Sequence, residues 1–137
     1  MPQDTFALLL VEDDVVDVMN VKRALAHLEG SLQLYHANNG IEALQMIRSG
    51  VLPPKHVVLL DLNMPKMNGM EFLRELRKDP NLEATPVVVL TTSEDPKDEK
   101  EAFELNVAGY LLKPVVTTDL VDVMKMIYRY WKAARRA

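Results

Sequence analysis

Three stretches of this chain, Phe6 to Val11, Val57 to Leu60 and Val87 to Leu90, are apolar without interruption and too short to be buried helices. Runs of that kind read as strands covered on both faces, which demands other elements above and below them. The intervening segments supply those layers, because their apolar residues return every three or four positions. Val18, Val21, Leu25 and Leu28 mark a helix over Val15 to Leu28 with Gly30 as its stop, and Ile41, Leu44 and Ile47 mark a second that ends before Gly50. Phe72, Leu73 and Leu76 predict a third from about Asn68 to Lys78. Asp95-Pro96 predicts an N-cap followed by proline at the first position of a fourth helix, which runs to about Asn106.

Leu32 to Ala37 alternates weakly, as a strand nearer a sheet edge does, and Gly109 to Leu112 is a short fifth strand stopped by Lys113-Pro114. Thr117 or Thr118 caps a last helix, with Leu120, Val123, Met124, Ile127 and Trp131 on one face. Five strand-helix units predict an α/β fold: a doubly wound, five-stranded parallel sheet of (βα)5, flavodoxin-like form, with right-handed crossovers. At 137 residues, with no repeat or linker, the expectation is one domain over 1–137 and no output domain.

Composition narrows the function. There is no cysteine, so thiol chemistry and disulfides are excluded, in keeping with a cytoplasmic address. No apolar stretch has the length of a membrane span, and the N-terminus has no signal-peptide pattern. The net charge of -4 disfavours nucleic acid, and the basic cluster Lys132, Arg135 and Arg136 reads as the cationic end of a helix. His27, His36 and His56 lack zinc-ligand spacing, and Met19, Met46, Met124 and Met126 read as core fillers.

In open sheets of this kind ligands bind beyond the carboxyl ends of the strands. There stand Glu12, Asp13, Asp61, Thr91, Thr92 and Lys113. Clustered carboxylates need a cation among them, and an oxygen-only donor set selects a hard one, Mg²⁺ first and Mn²⁺ as a substitute. A divalent ion, the Lys113 ammonium and the Thr91 hydroxyl around one carboxylate suit phosphoryl transfer, with Asp61 as the acceptor. Counted as a unit, Glu12, Asp13 and Asp61 balance one divalent ion and Lys113, so the site is expected to be neutral before phosphorylation.

These residues resemble the receiver domains of two-component response regulators over essentially the whole chain. Leu10-Val11-Glu12-Asp13 resembles that family's first acidic pair, Leu60-Asp61-Leu62-Asn63-Met64-Pro65 with Gly69 its phosphoacceptor motif, Thr91 its switch hydroxyl, and Lys113-Pro114 its lysine with a usually cis proline. The resemblance implies that Asp61 accepts a phosphoryl group from a sensor histidine kinase. It further implies that Asp13, Asp61 and the Asn63 backbone carbonyl hold Mg²⁺, with Glu12 acting through a water and Asp14 the less favoured ligand. Lys113 would bind the phosphoryl group while Thr91 moves toward it, letting Tyr110 rotate inward and changing the surface of the fourth helix, fifth strand and fifth helix.

More narrowly, Pro86 to Ser93 and the aromatics Tyr128, Tyr130 and Trp131 resemble single-domain regulators that partner bacterial phytochrome kinases. That likeness implies a homodimer through the changed surface and an unnamed downstream protein, with those three aromatics as interface candidates. Core packing is the alternative for Trp131, which shares a face with Leu120, Met124 and Ile127. Two other functions fit the architecture less well. A flavin cradle wants a glycine-rich loop where Glu12-Asp13-Asp14 stands, and an aspartyl-phosphate phosphatase wants an acid where Asn63 stands. A receiver-fold scaffold that is never phosphorylated is a third. The expectation is slow self-dephosphorylation rather than a stand-alone enzyme.

Overall fold

The structure is a computed structural model in which residues 5–113 and 117–134 are described. Pro114, Arg135 and Arg136 lie outside the described residues, as do the side chains of Thr117 and Thr118 expected as caps. The elements are β1 (Phe6–Val11), α1 (Val15–Leu25), β2 (Leu32–Ala37), α2 (Gly40–Ser49), β3 (Val57–Leu60), α3 (Gly69–Lys78), β4 (Val87–Thr91), α4 (Pro96–Glu104), β5 (Gly109–Leu112) and α5 (Thr117–Ala133). All strand pairs are parallel, in the order β2-β1-β3-β4-β5. The order reverses beside β1, so a crevice opens between the ends of β1 and β3.

Strand alternation divides the core in two. Leu8 and Leu10 of β1 face α1 and α5, packing with Val21, Leu25, Met124 and Ile127. Leu9 and Val11 face the other way, packing with Phe72, Leu73 and Leu76 of α3 and Ala102 of α4. Side chains this fully buried stabilise by about 1.5–3 kcal/mol each relative to exposure. Edge strand β2 is only partly covered, as its weaker apolar pattern implied.

The helix starts are set by capping side chains. Asp14 Oδ1 accepts from the backbone N–H of Val16 at 2.8 Å and of Asp17 at 3.2 Å. Asn68 and Glu71 form a reciprocal capping box at the start of α3. The ends differ from the sequence reading. α1 stops at Leu25, because beyond the capping Ala26 the N–H groups of His27 and Leu28 reach back only three residues, to the carbonyls of Ala24 and Leu25. α4 stops at Glu104, where Asn106 takes a left-handed φ of 60° that no helix continues. β4 runs one residue further than its apolar run, because Thr91 still pairs with Leu112.

Two expectations about side chains are corrected. Trp131 is 4% exposed: it packs on Phe6 with ring centroids 5.4 Å apart, and its indole N–H donates to the Lys55 carbonyl at 3.3 Å. It is a core residue, not a surface contact, because the turn of α5 that carries it faces the sheet. Of the four methionines read as core fillers, Met124 is fully buried and Met46 packs against the core, but Met19 and Met126 are 46% and 52% exposed. A helical pattern allows several faces, and the sheet covers one.

Candidate functional site

The polar strand-end residues are held by the sheet itself. Past the last paired residues, Glu12 N–H donates to the Ala37 carbonyl, Asp61 N–H to Val11 and Lys113 N–H to Thr91, at 3.0, 3.0 and 2.9 Å. The ladder thus carries one step beyond the strands and fixes the backbone from which each functional side chain springs. Glu12 is held again by His36, whose Nε2 lies 2.7 Å from the Glu12 carbonyl.

The carboxylates of Glu12, Asp13 and Asp61 converge, each offering an oxygen within 4.8 Å of the others. Glu12 and Asp61 are buried and Asp13 is exposed, so the cluster opens to solvent on one side. Buried carboxylates at this separation call for a cation, and three hard oxygen donors with no nitrogen or sulfur ligand among them fit Mg²⁺ or Mn²⁺. Burial, with the field of Asp61 adding to it, pushes the Glu12 carboxyl up to about 7 against the opposing pull of Lys113.

Lys113 Nζ lies 2.6 Å from Asp17 Oδ2, 2.8 Å from Glu12 Oε1 and 3.4 Å from Asp61 Oδ2. Burial alone would lower its pKa, but the hydrogen bonds it donates to Asp17 and Glu12 and the charge of Asp61 outweigh that and raise it. Asp17 was not anticipated, and it changes the charge count. Three carboxylates touch the ammonium, and with Asp13 the pocket holds four, so a divalent ion and Lys113 together leave it net negative rather than neutral. The available signal was its place three residues beyond the capping Asp14, on the first turn of a helix that starts at the pocket.

Asn63 contributes more than backbone. Its N–H donates to Asp61 Oδ1 at 3.2 Å, and its side-chain amide donates to Thr92 Oγ1 at 3.3 Å, with Thr91 Oγ1 at 3.5 Å. Thr91 is fully buried and Thr92 exposed, so the two hydroxyls face different surroundings. Thr91 Oγ1 also accepts from the Ser93 N–H at 3.3 Å, and the Ser93 carbonyl accepts from the half-buried Tyr110 hydroxyl at 3.0 Å. A single residue, Ser93, therefore links the pocket hydroxyl to the β5 aromatic. Tyr128 is half-buried against Phe6 and Tyr130 is 41% exposed, both away from the pocket on α5.

The loop after Asp61 returns so closely that a Cβ on Gly69 would lie 2.3 Å from the Asp61 carbonyl oxygen. Only glycine permits that approach, which seats the start of α3 directly against the backbone of Asp61. A family model described as the response regulator receiver domain matches residues 8–125. The chain belongs to that family. It is 36% identical over 138 residues to the probable methanogenesis regulatory protein FilR2 of Methanothrix harundinacea, an alignment covering 98% of this chain and 89% of that protein. It is 34% identical to the response regulator Rcp1 of Synechocystis, over 90% of this chain and 87% of that one.

Among solved structures, the phosphorylated cyanobacterial phytochrome response regulator RcpA superposes with a TM-score of 0.85 at 31% identity, covering 96% of this chain and 97% of that one. The Mn²⁺-bound form of Rcp1 gives 0.82 at 33% identity with the same coverage. Receiver domains take a phosphoryl group on an aspartate from a histidine kinase in two-component signalling, and are generally not enzymes. They bind Mg²⁺ or Mn²⁺ at an acidic pocket. Among this receiver's described residues, no helix is long and apolar enough to cross a membrane.

Proposed function

We propose that Asp61 is the phosphoacceptor of this receiver. A carboxylate oxygen of Asp61 attacks the phosphorus of a phosphohistidine in a sensor kinase; the P–O bond forms as the N–P bond breaks, and the donor ring takes back a proton. The observation that carries this reading is the placing of one ammonium, Lys113, and two further carboxylates, Glu12 and Asp13, around the buried Asp61. Asp13, Asp61 and the Asn63 carbonyl would hold Mg²⁺ or Mn²⁺, with Glu12 acting through a water. When bound, the ion neutralises charge on the transferring oxygens.

Lys113 neutralises a second phosphoryl oxygen, and the Thr91 hydroxyl and the Asn63 and Thr92 backbone region supply donors. Withdrawal of Thr91 toward the phosphoryl group alters its bond with Ser93 N–H, and through the Ser93 carbonyl alters the hold on Tyr110. The output is a changed α4-β5-α5 surface that binds a downstream protein or a second copy of the chain. Phe103, Leu112, Met126 and Tyr130 are exposed on those elements and supply its apolar contacts. The likeness to RcpA and Rcp1 favours a bacterial phytochrome as the kinase. The Asn63 amide cannot act as a general acid or base near neutral pH, so Asp61 phosphate is lost slowly by water rather than by fast catalysis.

Acetyl phosphate with Mg²⁺, followed by intact mass, tests the assignment. One added phosphoryl group in the native protein and none in Asp61→Asn is the expected outcome; an unmodified native protein overturns it. Light scattering with and without beryllofluoride tests the dimer, and Tyr130→Ala is expected to weaken association.

A further inference from the structure

The Lys113 ammonium has three N–H donors. Two are spent at the short distances of charge-assisted bonds, 2.6 Å to Asp17 and 2.8 Å to Glu12, while Asp61 is left at 3.4 Å. The cation that serves the phosphoacceptor therefore rests mainly on a carboxylate of α1. We infer that Asp17 is a positioning residue that parks the Lys113 ammonium on the α1 side of the pocket and competes with the phosphoryl group for it. This rests on the reading of Asp61 as phosphoacceptor.

Burial decides which partner gives way. The Glu12 side chain is 4% exposed and the Asp17 side chain 32%. A carboxylate left without its cation in the interior costs several kcal/mol or takes up a proton, whereas one at the surface is rehydrated. Asp17 is thus the partner that can release Lys113 cheaply when phosphoryl oxygens arrive. Its own position is preset, because its N–H donates to the capping Asp14 at 3.2 Å and it sits on the first turn of α1, where the helix dipole favours a carboxylate. The Lys113–Asp17 contact also joins the end of β5 to the start of α1 across the pocket, so its release unties α1 from β5.

The consequence is a pair of effects with opposite signs. Asp17→Asn keeps the shape but removes the competing charge. It is expected to tighten beryllofluoride binding at saturating Mg²⁺ by about three- to tenfold, because Lys113 is freed for the phosphoryl position. It is expected to weaken Mg²⁺ binding in the absence of fluoride, because the pocket loses one negative charge. Both are read by NMR on the intact chain, ¹⁹F for beryllofluoride and amide shifts for Mg²⁺. In a Lys113→Met background the effect of Asp17→Asn on beryllofluoride is expected to vanish. A residue with a merely structural role would weaken both ligands in either background. Beryllofluoride affinity that falls or stays unchanged in Asp17→Asn overturns the inference about Asp17. Failure of the native protein to bind beryllofluoride at all instead overturns the reading of Asp61.

Discussion

Replacing Gly69 by alanine puts one methyl group against the backbone that carries the phosphoacceptor. The new Cβ would lie 2.3 Å from the Asp61 carbonyl oxygen and 2.7 Å from Leu62 Cα, both backbone atoms that cannot turn aside as a flexible side chain does. Reaching even 3.0 Å from the oxygen requires a separation of at least about 0.7 Å between the start of α3 and the end of β3. The Asp61 N–H is pinned to Val11, and α3 is anchored by Phe72, Leu73 and Leu76, so neither side yields freely. Overpacking of this kind costs about 1–3 kcal/mol, partly offset by the lower unfolded-state entropy of alanine, which contributes about 0.4–1 kcal/mol. For a chain of this size, 1 kcal/mol lowers the melting temperature by about 3–4 °C.

The expected net effect is a melting temperature lower by up to about 10 °C. The expected loss in the rate of phosphorylation by acetyl phosphate is larger, up to about a hundredfold, since a misplacement near 1 Å costs that much in reactions governed by orientation. Gly50→Ala is the control. Gly50 has a φ of 78° and open space around its Cβ, so it pays only for left-handed backbone, and phosphorylation is expected to be unchanged. Circular dichroism melts and intact-mass time courses read the two quantities. A Gly69→Ala protein with native melting and native phosphorylation rate would refute the steric argument.

Arg77 donates to the carbonyls of Leu105 and Thr85 at 2.7 Å, Glu83 at 2.8 Å and Asn106 at 3.2 Å, tying the loops that lead into β4 and β5 to α3. Arg77→Met is expected to cost about 2–3 kcal/mol in a denaturant melt, because carbonyls lose a charged donor in a half-buried place. In the metal-free protein, the Glu12 carboxyl raised to about 7 favours its neutral form. Its contribution to stability is complete below the ordinary 4.5 and is lost as pH climbs toward 7, so metal-free melting temperatures fall across that window. Glu12→Gln flattens the decline, and saturating Mg²⁺ opposes it; a native profile flat over the same range would contradict this. Trp131→Phe loses the bond to Lys55 and is expected to destabilise by about 1–2 kcal/mol in melts while leaving the oligomeric state seen by light scattering unchanged.

Much of this receiver is written locally. The bounds of β1, β2, β3 and β5 coincide with their apolar or alternating runs, because a strand's cover is recorded residue by residue in its own side chains. The charged or hydroxyl residue that ends each strand is equally local, and parallel topology then brings Glu12, Asp13, Asp61, Thr91 and Lys113 to one edge without further instruction. What needed the assembled molecule is phase and distance between elements. Whether Met19 and Met126 meet solvent depends on how α1 and α5 are rotated against the sheet, which membership of a helical pattern alone leaves open. The partner of Lys113 depends on the first turn of α1 reaching the residue that follows β5, and no spacing along the chain between Asp17 and Lys113 records that contact. Charge pairing is set by ångström separations and by burial, and both exist only once the layers have packed.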